Sequence, residues 1–571
     1  MKATGGKLMY ETLRNYGVTH LFGLDEPVHL TQELEPGIME MVLVRDEKHG
    51  AIMAHGYAKV THKPGICTAL HGIAACNLIP GLAESLKASI PVIALVVDVE
   101  TAVRGKNASH EIDQEAILKP VAKWVERIDD TNRVPEMVRK AFRIATSGRP
   151  GPVALICPFD IMAGEGEAEV YAEPGCDQYP SRATCASREA IAEAIELLAD
   201  AKRPVIIAGG GCLLSQAWDE TVELAEMYRI PVATTLMGKG LIPDAHPLSV
   251  GVMGTYTGGK FGKGQIANQI VAEADLAIIM GSRTDQVPYD DWKIPKKGTS
   301  IIHLDIDPEE IGRNFETRVA LVGDVKASLS ELIRICKSGK QEFNFQTDEE
   351  KIAQLKTELF SQSEHLRQST QVPLRPEAVC HELCASLIDE NTIVAMDASF
   401  VCEWVLSYID TLAKGSHFLM GRAMSGIGWD LPAAIGAKIG CPEKRVVSLC
   451  GDGAFGYVMN ELETASRNNI KVIEIIFNNS SFGFQKFYEE LLFERSVETE
   501  LQDIDYSEVA RALKCQGERV TDLASLRVAL ERAKEADGPF LIDVVIDPYA
   551  LPPISWFDGF EPKRLRRNEK H

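Results

Sequence analysis

Long apolar runs are missing from this sequence. Nothing in its 571 residues approaches the ~18 consecutive apolar residues that a membrane-crossing helix needs. The nearest case, Ile90 to Val97, is short, carries Pro91 and stops at Asp98, so it reads as a buried strand. The opening MKATGGKLMYETLRNYGV has no continuous apolar stretch of signal-peptide type. Basic runs are scarce too: the one obvious case is the tail Lys563-Arg564-Leu565-Arg566-Arg567, which reads as a solvated end. With 60 Lys and Arg against 82 Asp and Glu, the net charge is −22. Such a chain repels nucleic acid and anionic membranes. None of the 13 cysteines forms a CxxC pair, the nearest spacing being Cys380 and Cys384. They read as reduced thiols, most of them small buried hydrophobes, in a cytoplasmic protein. Short-period repeats and low-complexity tracts are likewise absent.

What is present is ordinary for globular proteins: 45% hydrophobic, 25% charged and 7% aromatic residues. The length allows about three to five domains. Strand-like runs lie at His20–Leu24, Met41–Val44, Gly65–Leu70, Pro91–Val97 and Pro152–Cys157, with helix-length segments between them. Continuous apolar runs of this kind belong to parallel sheets covered on both faces. A linker-like stretch over 161–188 follows, rich in Gly, Pro, Ser and charge. A second series has strands at Pro204–Ala208, Pro231–Thr235, Leu276–Met280 and Ser300–Asp305. A polar stretch over 338–375 predicts a solvated helix and another linker. A third series has Thr392–Met396, Val446–Cys450, Val472–Phe477 and Phe540–Ile546. The reading is α/β, with three doubly wound parallel-sheet domains over 1–165, 190–337 and 375–550.

The most informative stretch is RVVSLCGDGAFGYVMNELETASRNNIKVIEIIFNNSSFGF. A buried strand runs into Gly451-Asp452-Gly453. A helix with Met459, Leu462 and Ala465 on one face is expected next, then a second buried strand ending in Asn478-Asn479. In one βαβ unit both strands end on the same side of the sheet, so Asp452 and Asn479 should lie side by side where open α/β sheets bind ligands. Glycines allow close backbone approach and offer N–H groups to an anion. Carboxylate and carbonyl oxygens suit Mg²⁺, which completes its shell with phosphate oxygens and water. The unit reads as a site for a Mg²⁺-bound diphosphate.

This stretch closely resembles the signature of thiamine-diphosphate-dependent enzymes, GDG followed after a helix by NN. The resemblance implies that Asp452, Asn479 and the backbone carbonyl of Ser481 hold Mg²⁺. It also implies that Gly453, Ala454, Phe482, Gly483 and Phe484 line the diphosphate. Elsewhere, VRDEKHGAIMAHGYAKVTHKPG resembles the family block in which a glutamate activates the cofactor's aminopyrimidine, and Glu47 falls on that glutamate. SGIGWDLPAAIGAKIG resembles the segment whose large apolar residue wedges between the two cofactor rings. Ile427 falls there, flanked by Gly426 and Ser425. AKRPVIIAGGG, IPVATTLMGKGLIP, EADLAIIMGSR and LDIDPEEIGRN resemble the central domain of the acetolactate synthase group, which can hold FAD or an adenine nucleotide. Together the likeness covers 1–160, 190–335 and 375–550.

The substrate side departs from the pattern. His71 replaces a small residue in the first-domain loop and could orient a carbonyl or shuttle a proton. Gln114 matches a family glutamine that reaches toward substrate, while the nearby His110 does not make the paired His-His of pyruvate-type decarboxylases. Asp25, Glu26 and His29 lie near the expected mouth of the site. After NN the chain offers Phe where acetolactate synthases carry Gln-Trp, and IDQ with LPPISWFDGF is more like benzaldehyde lyase. The expected function is cleavage or formation of a C–C bond beside a carbonyl, on a 2-oxo acid, aldehyde or 2-hydroxy ketone. A 2-oxo acid decarboxylase, a flavin-dependent redox enzyme and a non-catalytic cofactor-binding relative remain as alternatives. Glu47 and Asp452 lie in different domains, and in the family such residues meet across a subunit interface. A homodimer or dimer of dimers is therefore expected.

Overall fold

The computed structural model describes residues 1–24 and 26–562; Asp25 and the basic tail lie outside the described residues. The chain folds into three α/β domains, each built on a six-stranded, wholly parallel sheet. Across the first sheet the strands run Glu40–Leu43, His20–Gly23, Gly65–Ala69, Val92–Asp98, Val153–Pro158 and Trp124–Arg127. Across the third they run Phe418–Met420, Thr392–Met396, Arg445–Gly451, Val472–Asn478, Phe540–Val545 and Gln516–Val520. Numbered within each domain, both sheets have the order 2-1-3-4-6-5. The central sheet differs, at 3-2-1-4-5-6: Ser249–Val252, Val232–Thr234, Pro204–Ala208, Leu276–Met280, Ser300–Asp305 and Val319–Val322.

The inner strands are apolar along their whole length because helices cover both faces. Val92–Asp98 and Val472–Asn478 are buried at every position. The polar stretch after the central sheet contains the helix Glu349–Arg367, most of whose residues are exposed or half-buried. The segment after GDG differs from expectation. A short helical turn, Asp452–Phe455, ends at Gly456, and the helix proper is Glu461–Arg467. Leu462 and Ala465 are still buried in the core, and Met459 packs against it.

The first and third domains are joined by a helix pair. Glu47–Thr61 follows the second strand of the first sheet, and Asp430–Gly440 follows the second strand of the third. The two helices pack backbone to backbone. A Cβ on Gly56 would lie 2.2 Å from the Ala433 carbonyl oxygen, and one on Gly436 would lie 2.0 Å from that of Met53. Alanine normally gains about 1 kcal/mol over glycine inside a helix. A clash with backbone cannot be relieved by a rotamer change, so overpacking wins. Gly436→Ala is expected to destabilise the protein by about 3 kcal/mol, read as a lower urea midpoint.

Candidate active site

The third sheet builds one half of the site. Adjacent parallel strands Arg445–Gly451 and Val472–Asn478 are in register, with Gly451 opposite Phe477. Asp452 and Asn479 therefore leave the sheet side by side, and the Asn479 backbone N–H donates to Asp452 Oδ1 at 3.3 Å. The Asn479 side-chain oxygen in turn accepts from the Ser481 N–H at 3.1 Å. Burial pushes the Asp452 carboxyl up to about 7, against the pull of nearby backbone N–H groups. Its second oxygen, Oδ2, is buried without a hydrogen-bond partner. A buried carboxylate with a free oxygen is unfavourable alone and favourable beside a cation.

Asp452 and Asn479 open onto a cavity of about 220 Å³. Gly453, Ala454, Ser481, Phe482, Gly483 and Phe484 line it, as do Ser425 and Ile427. Gly426 lies between the last two, exposed, with open space where its side chain would be. Gly453 is required by close approach: a Cβ there would sit 2.8 Å from the Phe482 ring. Three serines at the site hold left-handed backbone, Ser399 (φ 81°), Ser425 (φ 57°) and Ser480 (φ 55°). Such conformations cost of order 1–3 kcal/mol and gather at sites that must hold a fixed shape. The oxygen donors, the orphaned carboxylate atom and the glycine cradle together fit a hard divalent cation carrying a diphosphate.

The first domain builds the other half. Glu47 opens the helix Glu47–Thr61, where the exposed N–H groups favour a carboxylate. It is 7% exposed and accepts a hydrogen bond from the Asn77 side-chain amide at 2.9 Å. Next to it, His49 pairs with Glu461 at 2.8 Å across the interface with the third domain. Glu47 is not among the residues lining the Asp452 cavity of its own chain. Gln114 is buried and donates to the Val97 carbonyl (2.9 Å) and to Asp98 (3.2 Å), leaving its own oxygen unpartnered. His71 bonds the Ser109 carbonyl at 3.1 Å. Its ring lies 5.5 Å from that of His110, in a tilted contact between two loops. His29 packs edge-on against Phe159, and Glu26 accepts from the Val28 N–H.

Sequence reasoning missed several lining residues: Tyr256 from the central domain, Ser399 and Phe400 at the start of the helix Phe400–Tyr408, and Arg422. No spacing pattern marks them, because three separate loops bring them together. The central-domain glycines have a packing explanation. A Cβ on Gly209 or Gly211 would lie 2.2 or 2.7 Å from the backbone of Gly281. Beside them, a cavity of about 120 Å³ is walled by Lys59, Lys87, Arg149 and Arg283 together with Asp305 and Asp324.

Family models match all three domains. The N-terminal TPP binding domain of thiamine pyrophosphate enzymes matches residues 3–117, the central domain 191–332, and the C-terminal TPP binding domain 397–544. Among curated proteins, the chain is 34% identical to a probable acetolactate synthase large subunit of Methanococcus aeolicus, covering 95% of this chain and 92% of that one. It is 31% identical to the acetolactate synthase isozyme 2 large subunit of Escherichia coli K12 (95% of each chain). It is 29% identical to glyoxylate carboligase of Escherichia coli O157:H7 (94% and 91%).

Proposed function

The chain belongs to the thiamine-diphosphate-dependent enzyme family, and from that premise we propose that it is a carboligase or lyase acting at a C–C bond beside a carbonyl. Its substrate is a 2-oxo acid, an aldehyde or a 2-hydroxy ketone. The observation that carries this reading is the buried Asp452 carboxylate, with one free oxygen, beside Asn479 at the mouth of a glycine cradle. Asp452, Asn479 and the Ser481 carbonyl would hold Mg²⁺. Gly453, Ala454 and Phe482 to Phe484 would close round the diphosphate. When bound, thiamine diphosphate supplies the carbon nucleophile and the electron sink.

The chain's own residues place and activate it. Ile427, with Ser425 and Gly426 beside it, holds the two rings at an angle. Glu47 holds a proton at the aminopyrimidine N1′, fixed in place by the Asn77 amide. Gln114 and His71 handle the substrate carbonyl. Since Glu47 lines no part of its own chain's cavity, a second copy would provide it, making the protein a homodimer or dimer of dimers. The central cavity, whose walls carry Lys59, Lys87, Arg149 and Arg283 alongside Asp285, Asp305, Glu310 and Asp324, would take an adenine nucleotide or FAD, and visible flavin absorbance of the purified protein tests the latter. No helix among the described residues is long and apolar enough to cross a membrane, in keeping with a cytoplasmic protein. A second reading, 2-oxo acid decarboxylation, is favoured by the contact of His71 with His110. The test is to supply 2-oxo acids with and without an aldehyde acceptor and measure CO₂ and ligated product. A carboligase gives the ligated product. Release of CO₂ and free aldehyde alone overturns the reading in favour of the second.

A further inference from the structure

Tyr256, Phe400 and Phe484 line the cavity beside the diphosphate cradle, and Tyr488 and Trp556, which are not among its lining residues, link their rings. Phe400 meets Phe484 at 5.7 Å, Phe484 meets Tyr488 at 6.1 Å, Tyr488 meets Trp556 at 6.1 Å, and Trp556 meets Tyr256 at 5.7 Å. The Arg422 guanidinium lies 4.5 Å over the Tyr256 ring. It also pairs at 3.2 Å with Glu403, on the same helix as Phe400. The contacts thus close into a circuit of five aromatic rings and one ion pair, drawn from the central domain, the third domain and the segment that follows it. Tyr488 and Trp556 are 40% and 36% exposed, so the circuit is open to solvent on that side.

Among the described residues lining the cavity, Arg422 is the sole cation. Its side chain is 7% exposed, and Glu403 is fully buried behind it. Burying a guanidinium is costly unless its donors are used. It carries five N–H donors in a planar fork that matches a carboxylate, and Glu403 faces one of its two terminal nitrogens.

We infer that Arg422 receives the carboxylate of a 2-oxo acid whose aryl or bulky apolar side chain lies against the Tyr256, Phe400 and Phe484 rings of the same cavity. The inference rests on the carboligase reading above and narrows its substrate: the site selects a charged carbonyl compound over an uncharged aldehyde or hydroxy ketone. Glu403 tunes the receptor. Burial pushes its carboxyl up to about 7, against the pull of Arg422. The other titratable groups around the pair are Cys402, Tyr256 and Asp397, and burial raises all three. Below about pH 7 Glu403 is neutral and the charge on Arg422 is free for substrate. Above it, ionised Glu403 competes.

Phenylpyruvate and phenylacetaldehyde share an aryl group and differ in the carboxylate, so they are the probes. In the cofactor-loaded protein, Arg422→Ala is expected to raise KM for phenylpyruvate about 50-fold, the loss of one charge-assisted contact. KM for phenylacetaldehyde should change less than twofold, and Arg422→Lys should recover part of the difference. In the wild type, KM for phenylpyruvate should rise as pH climbs through 7, and Glu403→Gln should flatten that rise. Equal effects on both probes, or weakened cofactor binding in Arg422→Ala without a change in the KM ratio, would overturn the assignment. If the wild type turns over neither compound, the aryl part of the inference is overturned, while the carboligase reading is decided by its own test with other 2-oxo acids. Calorimetry with the unreactive 3-phenylpropanoate on wild type and Arg422→Ala then decides the receptor alone: about 50-fold weaker binding to the variant upholds it, and equal binding overturns it.

Discussion

Glu47→Gln is expected to lower turnover by about 10²–10³-fold, the usual worth of a positioned acid–base group, with thiamine diphosphate still bound. Glutamine keeps the shape of the side chain and an oxygen to accept from the Asn77 amide, which now bonds Glu47 at 2.9 Å. It cannot hold a shared proton. The loss should therefore appear in kcat, while the cofactor dissociation constant, read from fluorescence quenching, stays within a few-fold of wild type. Slowed deuterium exchange at the cofactor's C2 would place the defect at activation. Unchanged turnover would sink the role of Glu47. Complementation tests the placement of Glu47 across a subunit interface. If each site joins Glu47 of one copy to Asp452 of another, mixing Glu47→Gln chains with Asp452→Ala chains restores one intact site per mixed dimer. Two inactive preparations should then regain about a quarter of wild-type activity when refolded together, by random pairing with one working site in each mixed dimer. No recovery would place both residues in the same site of one chain.

Asp452→Ala is expected to weaken thiamine diphosphate binding more than 100-fold, on the order of the 10–100-fold or greater losses seen when metal-site groups are removed. Asp452 provides the one carboxylate lining the cradle, and its Oδ2 has no other partner. Without it, the Mg²⁺ that neutralises the diphosphate would lose the carboxylate that holds it. A chelator such as EDTA added to the wild type should reproduce the variant, and added Mg²⁺ should reverse the chelator but not the substitution. Tight metal-independent binding of the cofactor would refute the metal role. Asp452 was singled out in sequence by strand–GDG–helix–strand–NN, and the structure does bring it beside Asn479; Glu47 was singled out only by the resemblance of its flanking block.

Other features were not legible, for physical reasons. The inner strands announced themselves as continuous apolar runs, since both their faces are covered. The antiparallel pair Lys2–Thr4 and Glu165–Glu167 went unread, as did five strands of the six-stranded sheets: Trp124–Arg127, Ser249–Val252, Val319–Val322, Phe418–Met420 and Gln516–Val520. All five are sheet edges. Val319–Val322 alternates buried and exposed, and Gln516–Val520 is largely half-exposed, so neither forms an apolar run. The helix expected after GDG is split because Gly456 ends its first turn. Arg422 and Tyr256 carry no local signal, and the likeness of LPPISWFDGF said nothing of what its Trp556 touches. Their meaning comes from tertiary contact between segments more than 100 residues apart. The His71–His110 contact escaped for the same reason: it is made between two loops.

The edges have a consequence of their own. An outermost strand offers unpaired N–H and C=O groups to any other strand it meets, and long, flat edges seed aggregation. Each of the three sheets ends on both sides in a strand of three to five residues. So short a template gives a colliding copy little to add to, and a surface with net charge −22 keeps copies apart. The brevity that hid most of these strands from a reading of the sequence also limits edge-to-edge strand pairing between copies of a protein with three open six-stranded sheets.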